Sequence, residues 1–246
     1  MKQAALDLRY DELFRQLDSA FDQSRDRLEL PGGAVEARSY DFASKNGDLH
    51  PEEDYQQTDP TLRALLNYYV RQSPYSEAHI FGDIHSRDWD IEENRNFRYS
   101  LLLPKQRDGG SDRSARFDEA ILLLHGLNEK SWSKYLPWAY RLVELTGRPV
   151  ILFPIAFHMN RAPAVWADPR AMMEVARERK RLFTDLPSGS FANVALSHRL
   201  QFAPHRFLTS GLQSYYDLAD LLRLIRRGDL QPLRSEATIH LLGYSA

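Results

Sequence analysis

The sequence predicts an α/β fold, in which a largely parallel sheet carries helices on its faces. Two apolar runs and one short β-prone run alternate with two segments whose apolar residues recur at the helical period. The runs are Ala120–Leu124, Pro149–Phe157 and Thr238–Leu242, and the helical segments extend from Ser131 to Gly147 and from Gly211 to Arg227. Because strands that alternate with helices form parallel sheets with crossover connections, this order favours the α/β class.

The first apolar run ends in a short polar loop. Ala120–Leu124 is apolar at every position, which is typical of a strand buried on both faces, and His125-Gly126-Leu127-Asn128 follow it directly. The helical pattern that begins at Ser131 stops at Gly147, a residue type that favours a helix C-terminus. We therefore expect a buried strand, a loop and a crossover helix in that order.

The next elements continue the alternation. Pro149–Phe157 is predicted to be a second buried strand, and the helical pattern of Gly211–Arg227 ends at Gly228. Thr238–Leu242 is rich in residues that favour β-strands and leads into Gly243-Tyr244-Ser245-Ala246. The sequence therefore predicts a third strand that ends at a glycine-containing turn.

The N-terminal part predicts one further strand and a separate region. Asn96–Leu103 has the pattern of a strand that pairs with the sheet, and a flexible turn at Arg107–Asp112 follows it. Helical spacing is carried by Leu6, Tyr10, Leu13, Phe14, Leu17, Leu62, Leu65, Leu66, Tyr69 and Val70. We expect residues 1–76 to form a mostly helical extension of unknown role, and residues 77–246 to form the core.

The polar loop and the last four residues together resemble α/β-hydrolases. Gly243-Tyr244-Ser245-Ala246 matches the first four positions of the G-x-S-x-G nucleophile elbow, a tight turn after a strand that exposes the serine oxygen. His125-Gly126, which follows an apolar strand, resembles the loop that supplies one backbone N–H of the oxyanion hole. The chain is identified as the N-terminal part of an α/β-hydrolase-like sheet with crossover helices, an inserted cap and an N-terminal extension.

This resemblance implies a serine hydrolase that cleaves an ester, thioester or amide of a small-molecule substrate through an acyl-enzyme. Ser245 would be the nucleophile, and the backbone N–H groups of Leu127 and Ala246 would form the oxyanion hole. His125 and Gly126 would support the oxyanion loop, and we expect the imidazole to shape that loop rather than to act as a base.

The resemblance also implies that essential groups are missing. The triad of this superfamily has its acid and its histidine after the serine, and the sequence ends at Ala246. We therefore expect a fragment that is inactive by itself and belongs to an active intact enzyme. One alternative is a noncatalytic α/β-hydrolase-like protein that binds a ligand or partner. Another is a different parallel α/β domain in which Gly243-Tyr244-Ser245 is a coincidence.

The chain between His125 and Ser245 is longer than one crossover requires. The surplus is residues 158–208, which mix methionine and aromatic residues with many arginines. Because this segment follows a strand at the edge where open α/β sheets bind ligands, we expect a cap over the site. The alternative is a surface insertion whose apolar residues are simply buried. Its apolar content favours an apolar acyl group. Its arginines equally favour a carboxylate or phosphate, and they include Arg161, Arg170, Arg177 and Arg206.

The composition excludes several classes of protein. The 32 basic and 34 acidic residues give a net charge of −2, so we expect no general attraction to nucleic acid. No apolar stretch approaches the roughly 18 residues of a membrane helix, and the charged N-terminus lacks a secretory core, which predicts a cytoplasmic protein. Because the chain has no cysteine, a thiol nucleophile and a Cys-ligated metal site are excluded. His158, His198 and His205 match no ligand spacing, so we predict neither metal nor cofactor.

Overall fold

The computed structural model of the 246-residue chain describes residues 9–46, 88–105, 116–182, 184, 190–202 and 206–245. The chain forms two compact units. The first, here called the sheet unit, comprises Met1–Phe42, Phe97–Ile155 and Leu218–Ala246. The second, here called the helical unit, comprises Ala43–Asn96 and Ala156–Asp217.

Among the described residues, six strands form one sheet in the order β1-β2-β3-β5-β4-β6. Strand β1 is antiparallel to β2, and β3 is antiparallel to β5, whereas β4 is parallel to both β5 and β6. This mixed sheet, accompanied by helices, confirms the α/β class. The strands are Arg27–Glu29 (β1), Val35–Ala43 (β2), Asn96–Pro104 (β3), Phe117–Leu124 (β4), Val150–Leu152 (β5) and Leu233–Gly243 (β6).

Strand β4 is the central element of the parallel part of the sheet. Its residues Ala120–Leu123 are all buried, as expected for a strand that is covered on both faces. Leu124 is paired with Gly243, the last residue of β6, and Leu123 is paired with Leu152, the last residue of β5. The carboxyl ends of β4, β5 and β6 therefore lie at one edge of the sheet, and the chain enters a loop or turn from each.

Six α-helices are described. Helix α3 ends at Gly147, whose φ of 68° is left-handed, and the longest helix, α6, ends before Gly228, as the sequence predicted. Helix α1 contacts α3 within the sheet unit. None of the described helices is both long enough and apolar enough to cross a lipid bilayer. They are Tyr10–Ala20 (α1), Glu92–Arg95 (α2), Leu136–Thr146 (α3), Pro169–Leu182 (α4), Val194–Phe202 (α5) and Arg206–Arg227 (α6).

The helical unit has its own small apolar core. Aromatic Phe157 and Trp166 pack with aliphatic side chains of α4 and α5. Single turns of 3-10 helix at Met159–Arg161 and Ala164–Ala167 lead from the sheet into α4. The predicted insertion, residues 158–208, lies within this unit and is mostly helical where it is described. Its role as a cap stays a prediction.

The structure differs from the sequence prediction in the N-terminal region. Residues 1–76 were expected to form a mostly helical extension, but β1 and β2 belong to the sheet. The sequence analysis did not predict β2, because charged Glu36 lies among its buried positions. The Glu36 carboxylate is paired with Arg27 at 2.5 Å and with Arg38 at 2.6 Å. The helical spacing at residues 62–70 and the turn at residues 107–112 lie outside the described residues.

The second predicted strand is shorter than expected. Pro149–Phe157 is apolar throughout, but β5 covers only Val150–Leu152. Pro154 has no N–H to donate to a neighbouring strand, and Phe157 has a φ of 62°, so the chain leaves the sheet.

One glycine inside α6 and one just after it provide a matched test of what stabilises this helix and its end. An added Cβ would meet nothing within 4 Å at either Gly211, inside the helix, or Gly228, just beyond its end. Only Gly228 is left-handed, with a φ of 76°. We expect Gly211→Ala to raise the free energy of unfolding by about 0.5–1 kcal/mol and Gly228→Ala to lower it by about 1 kcal/mol. Denaturant unfolding checks this, and shifts of the same sign would contradict it.

Candidate functional site

The turn after β6 holds a serine in a strained conformation. Strand β6 ends at Gly243, and Ser245 has a φ of 56°, in the left-handed region that costs a non-glycine residue about 1–2 kcal/mol. The Tyr244 N–H donates to the Leu124 carbonyl oxygen at 3.1 Å, which ties this turn to the end of β4. We call residues 243–245 the Ser245 turn. Strain of this kind persists where surrounding contacts enforce it, and it is concentrated at functional sites.

The loop after β4 lies directly against the Ser245 turn. A Cβ added at Gly126 would lie 3.1 Å from the Ser245 Cβ and 3.2 Å from the Tyr244 carbonyl oxygen. Both distances are tighter than most Cβ contacts, so a side chain at this position would press the Ser245 turn away by a few tenths of an ångström. We call residues 125–128 the His-Gly loop. The two predicted halves of the site, far apart in the sequence, are therefore in contact.

His125 is a buried, hydrogen-bonded residue of this loop. Its side chain is only 3% exposed, its Nδ1 lies 2.9 Å from the Gly126 carbonyl oxygen, and its Nε2 accepts the Ile155 N–H at 3.1 Å. A carbonyl oxygen can only accept and an amide N–H can only donate, so these partners select the neutral imidazole with its proton on Nδ1. Both ring nitrogens are therefore engaged, and the lone pair of Nε2 is not available to accept a proton from a serine. This arrangement suits a role in supporting the loop.

The His-Gly loop is also held by a tyrosine that the sequence analysis did not identify. The Gly126 N–H donates to the Tyr135 hydroxyl at 2.8 Å, and that hydroxyl donates to Glu129 Oε1 at 2.9 Å. Lys134 forms an ion pair with the same carboxylate oxygen. Burial is the main factor that raises the pKa of Tyr135, which keeps its hydroxyl protonated and able to donate.

Aromatic residues surround the Ser245 turn. The Tyr244 ring lies 6.0 Å from the Tyr135 ring and 5.3 Å from the Trp138 ring, both in edge-to-face geometry. The Lys134 ammonium lies 4.4 Å from the centroid of the Tyr244 ring, within the range of a cation–π interaction. Tyr244 stays 43% exposed, so one part of its ring is packed and the other faces solvent.

The two predicted oxyanion donors have different positions in the structure. Leu127 lies in the His-Gly loop, with a side chain that is 68% exposed, and Asn128 after it has a φ of 61°. Because the Gly126 N–H is occupied by Tyr135, the next backbone N–H of the loop is that of Leu127. Ala246, the other predicted donor, lies outside the described residues. The assignment of both donors stays a prediction.

The arginines of the predicted cap mostly have carboxylate partners. Arg161 pairs with Asp217, Arg177 with Glu174 and Arg206 with Asp88, while Arg170 is exposed. Arg161 is completely buried within the helical unit and is paired with Asp217, so its charge is not presented at the surface. In the described parts of the chain, no three potential metal-ligating side chains come together.

Comparison with known proteins gives one match. Residues 8–246, which is nearly the whole chain, match the sequence model of a family described as a family of unknown function (DUF6051). No curated protein and no solved structure matches the chain.

Proposed function

The chain belongs to the DUF6051 family, whose function is unknown, and we propose that it carries the nucleophile and oxyanion loop of an α/β-hydrolase-type serine hydrolase. One observation carries the proposal. The strained Ser245 turn lies in contact with the His-Gly loop at the carboxyl ends of two neighbouring parallel strands, β6 and β4. A strand, a strained turn with an exposed serine and an adjacent loop N–H are what the nucleophile elbow requires.

The chemistry follows from this arrangement. Ser245 Oγ attacks a substrate carbonyl carbon as the serine proton passes to a base. The carbonyl oxygen becomes an oxyanion that accepts hydrogen bonds from backbone N–H groups. The Leu127 N–H is one such donor and the Ala246 N–H the other. Collapse of the tetrahedral species expels the alcohol, thiol or amine, and water then releases the acid from the acyl-enzyme.

A serine hydroxyl needs an activating base. Within the described residues, no side chain hydrogen bonds to the Ser245 hydroxyl, and His125 has both ring nitrogens engaged. The proposal therefore requires another histidine to act as the base and a carboxylate to orient it, neither of which is among the described contacts of Ser245. A protein that lacked them would keep the fold and lose catalysis, which is the noncatalytic binding alternative.

The surroundings of Ser245 favour an apolar substrate group. Leu127 and Tyr244 are exposed beside the serine, and Leu242 is exposed at the end of β6. Lys134, the nearest described cation to the Tyr244 ring, is already paired with Glu129. We therefore expect uncharged acyl esters to react faster than esters that carry a carboxylate or phosphate.

Covalent labelling tests the proposal directly. The full natural protein is treated with a biotinylated fluorophosphonate, digested and analysed by mass spectrometry. We expect the phosphonyl group on Ser245 and not on Ser235, a serine of the preceding strand β6. Heat-unfolded protein should not be labelled, because a serine hydroxyl is a poor nucleophile without its site. Folded protein that leaves Ser245 unmodified would reject the hydrolase and favour a binding protein.

A further inference from the structure

We propose that Tyr135, held by Glu129 and Lys134, is a positioning residue that fixes the His-Gly loop against the Ser245 turn; this rests on the proposed function. Tyr135 precedes α3 and does not touch the Ser245 hydroxyl in the described structure. It acts through the backbone of Gly126, whose N–H it binds at 2.8 Å.

The direction of each hydrogen bond in this network is fixed by chemistry. The Gly126 N–H can only donate, so the Tyr135 oxygen accepts it. The tyrosine proton is then directed to the Glu129 carboxylate, which can only accept. Lys134 balances the charge of that carboxylate. Every group has a partner that matches it, so the network has one low-energy arrangement.

This arrangement fixes the two peptide groups that flank Gly126. Tyr135 holds the N–H of the first peptide group, and His125 Nδ1 holds the carbonyl oxygen of the second. In a trans peptide the N–H points opposite to the carbonyl, so the Leu127 N–H is directed away from the His125 ring. The donor predicted to stabilise the oxyanion is thereby given a set direction before substrate binds, which is the condition for effective electrostatic stabilisation.

The same network reaches the residue before the nucleophile. The Lys134 ammonium lies 4.9 Å from the centroid of the Tyr135 ring and 4.4 Å from that of Tyr244. The Tyr135 and Tyr244 rings are also in edge-to-face contact. A single cluster of Glu129, Lys134 and Tyr135 therefore contacts both the loop that supplies the donor and the turn that carries Ser245.

The substitution Tyr135→Phe removes one oxygen and keeps the ring. The matched control is Tyr140→Phe on the following helix, since Tyr140 loses a hydroxyl that donates to the Pro31 carbonyl at 2.9 Å. With a p-nitrophenyl acyl ester, we expect Tyr135→Phe to lower kcat by about 10- to 100-fold with little change in KM, because a misplaced donor is felt in the transition state. Tyr140→Phe should leave kcat unchanged.

Hydrogen exchange adds a readout that does not depend on turnover. We expect the Gly126 amide to exchange about tenfold faster or more in Tyr135→Phe, where its acceptor is lost, and to keep its wild-type rate in Tyr140→Phe. Wild-type kcat or wild-type exchange at Gly126 in Tyr135→Phe would overturn the positioning role and leave the hydrolase standing. A wild-type protein that neither turns over ester nor labels at Ser245 would instead overturn the proposed function.

Discussion

Replacing Ser245 by alanine in the full natural protein is expected to lower kcat for ester hydrolysis by at least about 10³-fold, because the covalent step loses its nucleophile. Alanine keeps the Cβ that contacts the His-Gly loop, so the packing against Gly126 is preserved. Ser235→Ala, in strand β6 before the Ser245 turn, is the control and should keep wild-type activity. Initial rates with a chromogenic ester measure the effect. Full activity in Ser245→Ala would remove this serine from the mechanism.

The variant Ser245→Gly separates the chemical role of the serine from its strain. Glycine adopts a φ of 56° without the steric cost that serine bears there. We expect an inactive protein whose free energy of unfolding is about 0.5–1 kcal/mol higher than that of the wild type, after the entropy of glycine in the unfolded chain is counted. Ser235→Gly, in the extended strand, should be destabilised. If both variants lose the same stability, the turn stores no strain.

A gain in stability together with a loss of activity in Ser245→Gly would distinguish an active-site serine from a serine that matches the motif by chance. A serine in an ordinary turn has no reason to occupy the left-handed region when asparagine or glycine would fit better. The contacts that enforce the conformation are visible: Tyr244 is tied to β4 by a backbone hydrogen bond, and its ring is packed between Tyr135 and Trp138.

The parts of the fold that sequence patterns predicted are those with continuous apolar runs or clear stop signals. Strand β4 is apolar at four buried positions, and helix α3 ends at a left-handed glycine, so each can be read locally. Strand β2 could not be predicted locally, because its buried Glu36 is paired with two arginines, and one of them, Arg27, lies in another strand. Local patterns do not show which charges will be paired after folding.

The site shows the same division. Ser245 and Gly126 are marked by motifs, because a strained turn and a close backbone approach restrict the residue type strongly. Tyr135 and Lys134 were missed as site residues, since their role comes from contacts made only once the loop folds back on the start of α3. Four arginines of the insertion were predicted to be candidate ligand-binding groups, and the structure gives three of these four carboxylate partners.

The largest effect on stability is expected at Asp217, in the helical unit. Asp217 and Arg161 are both fully buried, and Arg161 Nη2 donates to Asp217 Oδ2 at 2.7 Å. The other carboxylate oxygen accepts the Ser44 hydroxyl at 2.7 Å and the Asn46 amide at 3.0 Å. Burial lowers the pKa of Arg161 to about 10, with Asp217 acting against that shift, so the guanidinium is still charged at neutral pH.

Removing Asp217 would leave that charge buried without its counter-ion. We expect Asp217→Ala to lower the free energy of unfolding by about 3–5 kcal/mol, because desolvation of Arg161 is no longer compensated. Asp220→Ala is the control on the same helix: its pair with Arg223, at 2.5 Å, is accessible to solvent, with side chains that are 30% and 63% exposed, and should contribute under about 1 kcal/mol. Denaturant unfolding followed by circular dichroism measures both.

The double variant Arg161→Met/Asp217→Leu decides whether the loss of stability in Asp217→Ala comes from the uncompensated charge of Arg161 or from the lost hydrogen bonds of Ser44 and Asn46. Apolar residues of similar size remove both charges together, and such replacements of buried ion pairs are often neutral or stabilising. We therefore expect the double variant to recover most of the stability lost in Asp217→Ala, less the cost of leaving the Ser44 and Asn46 donors without their acceptor. A double variant no more stable than Asp217→Ala would show that these hydrogen bonds, rather than the ion pair, hold the helical unit together at this point.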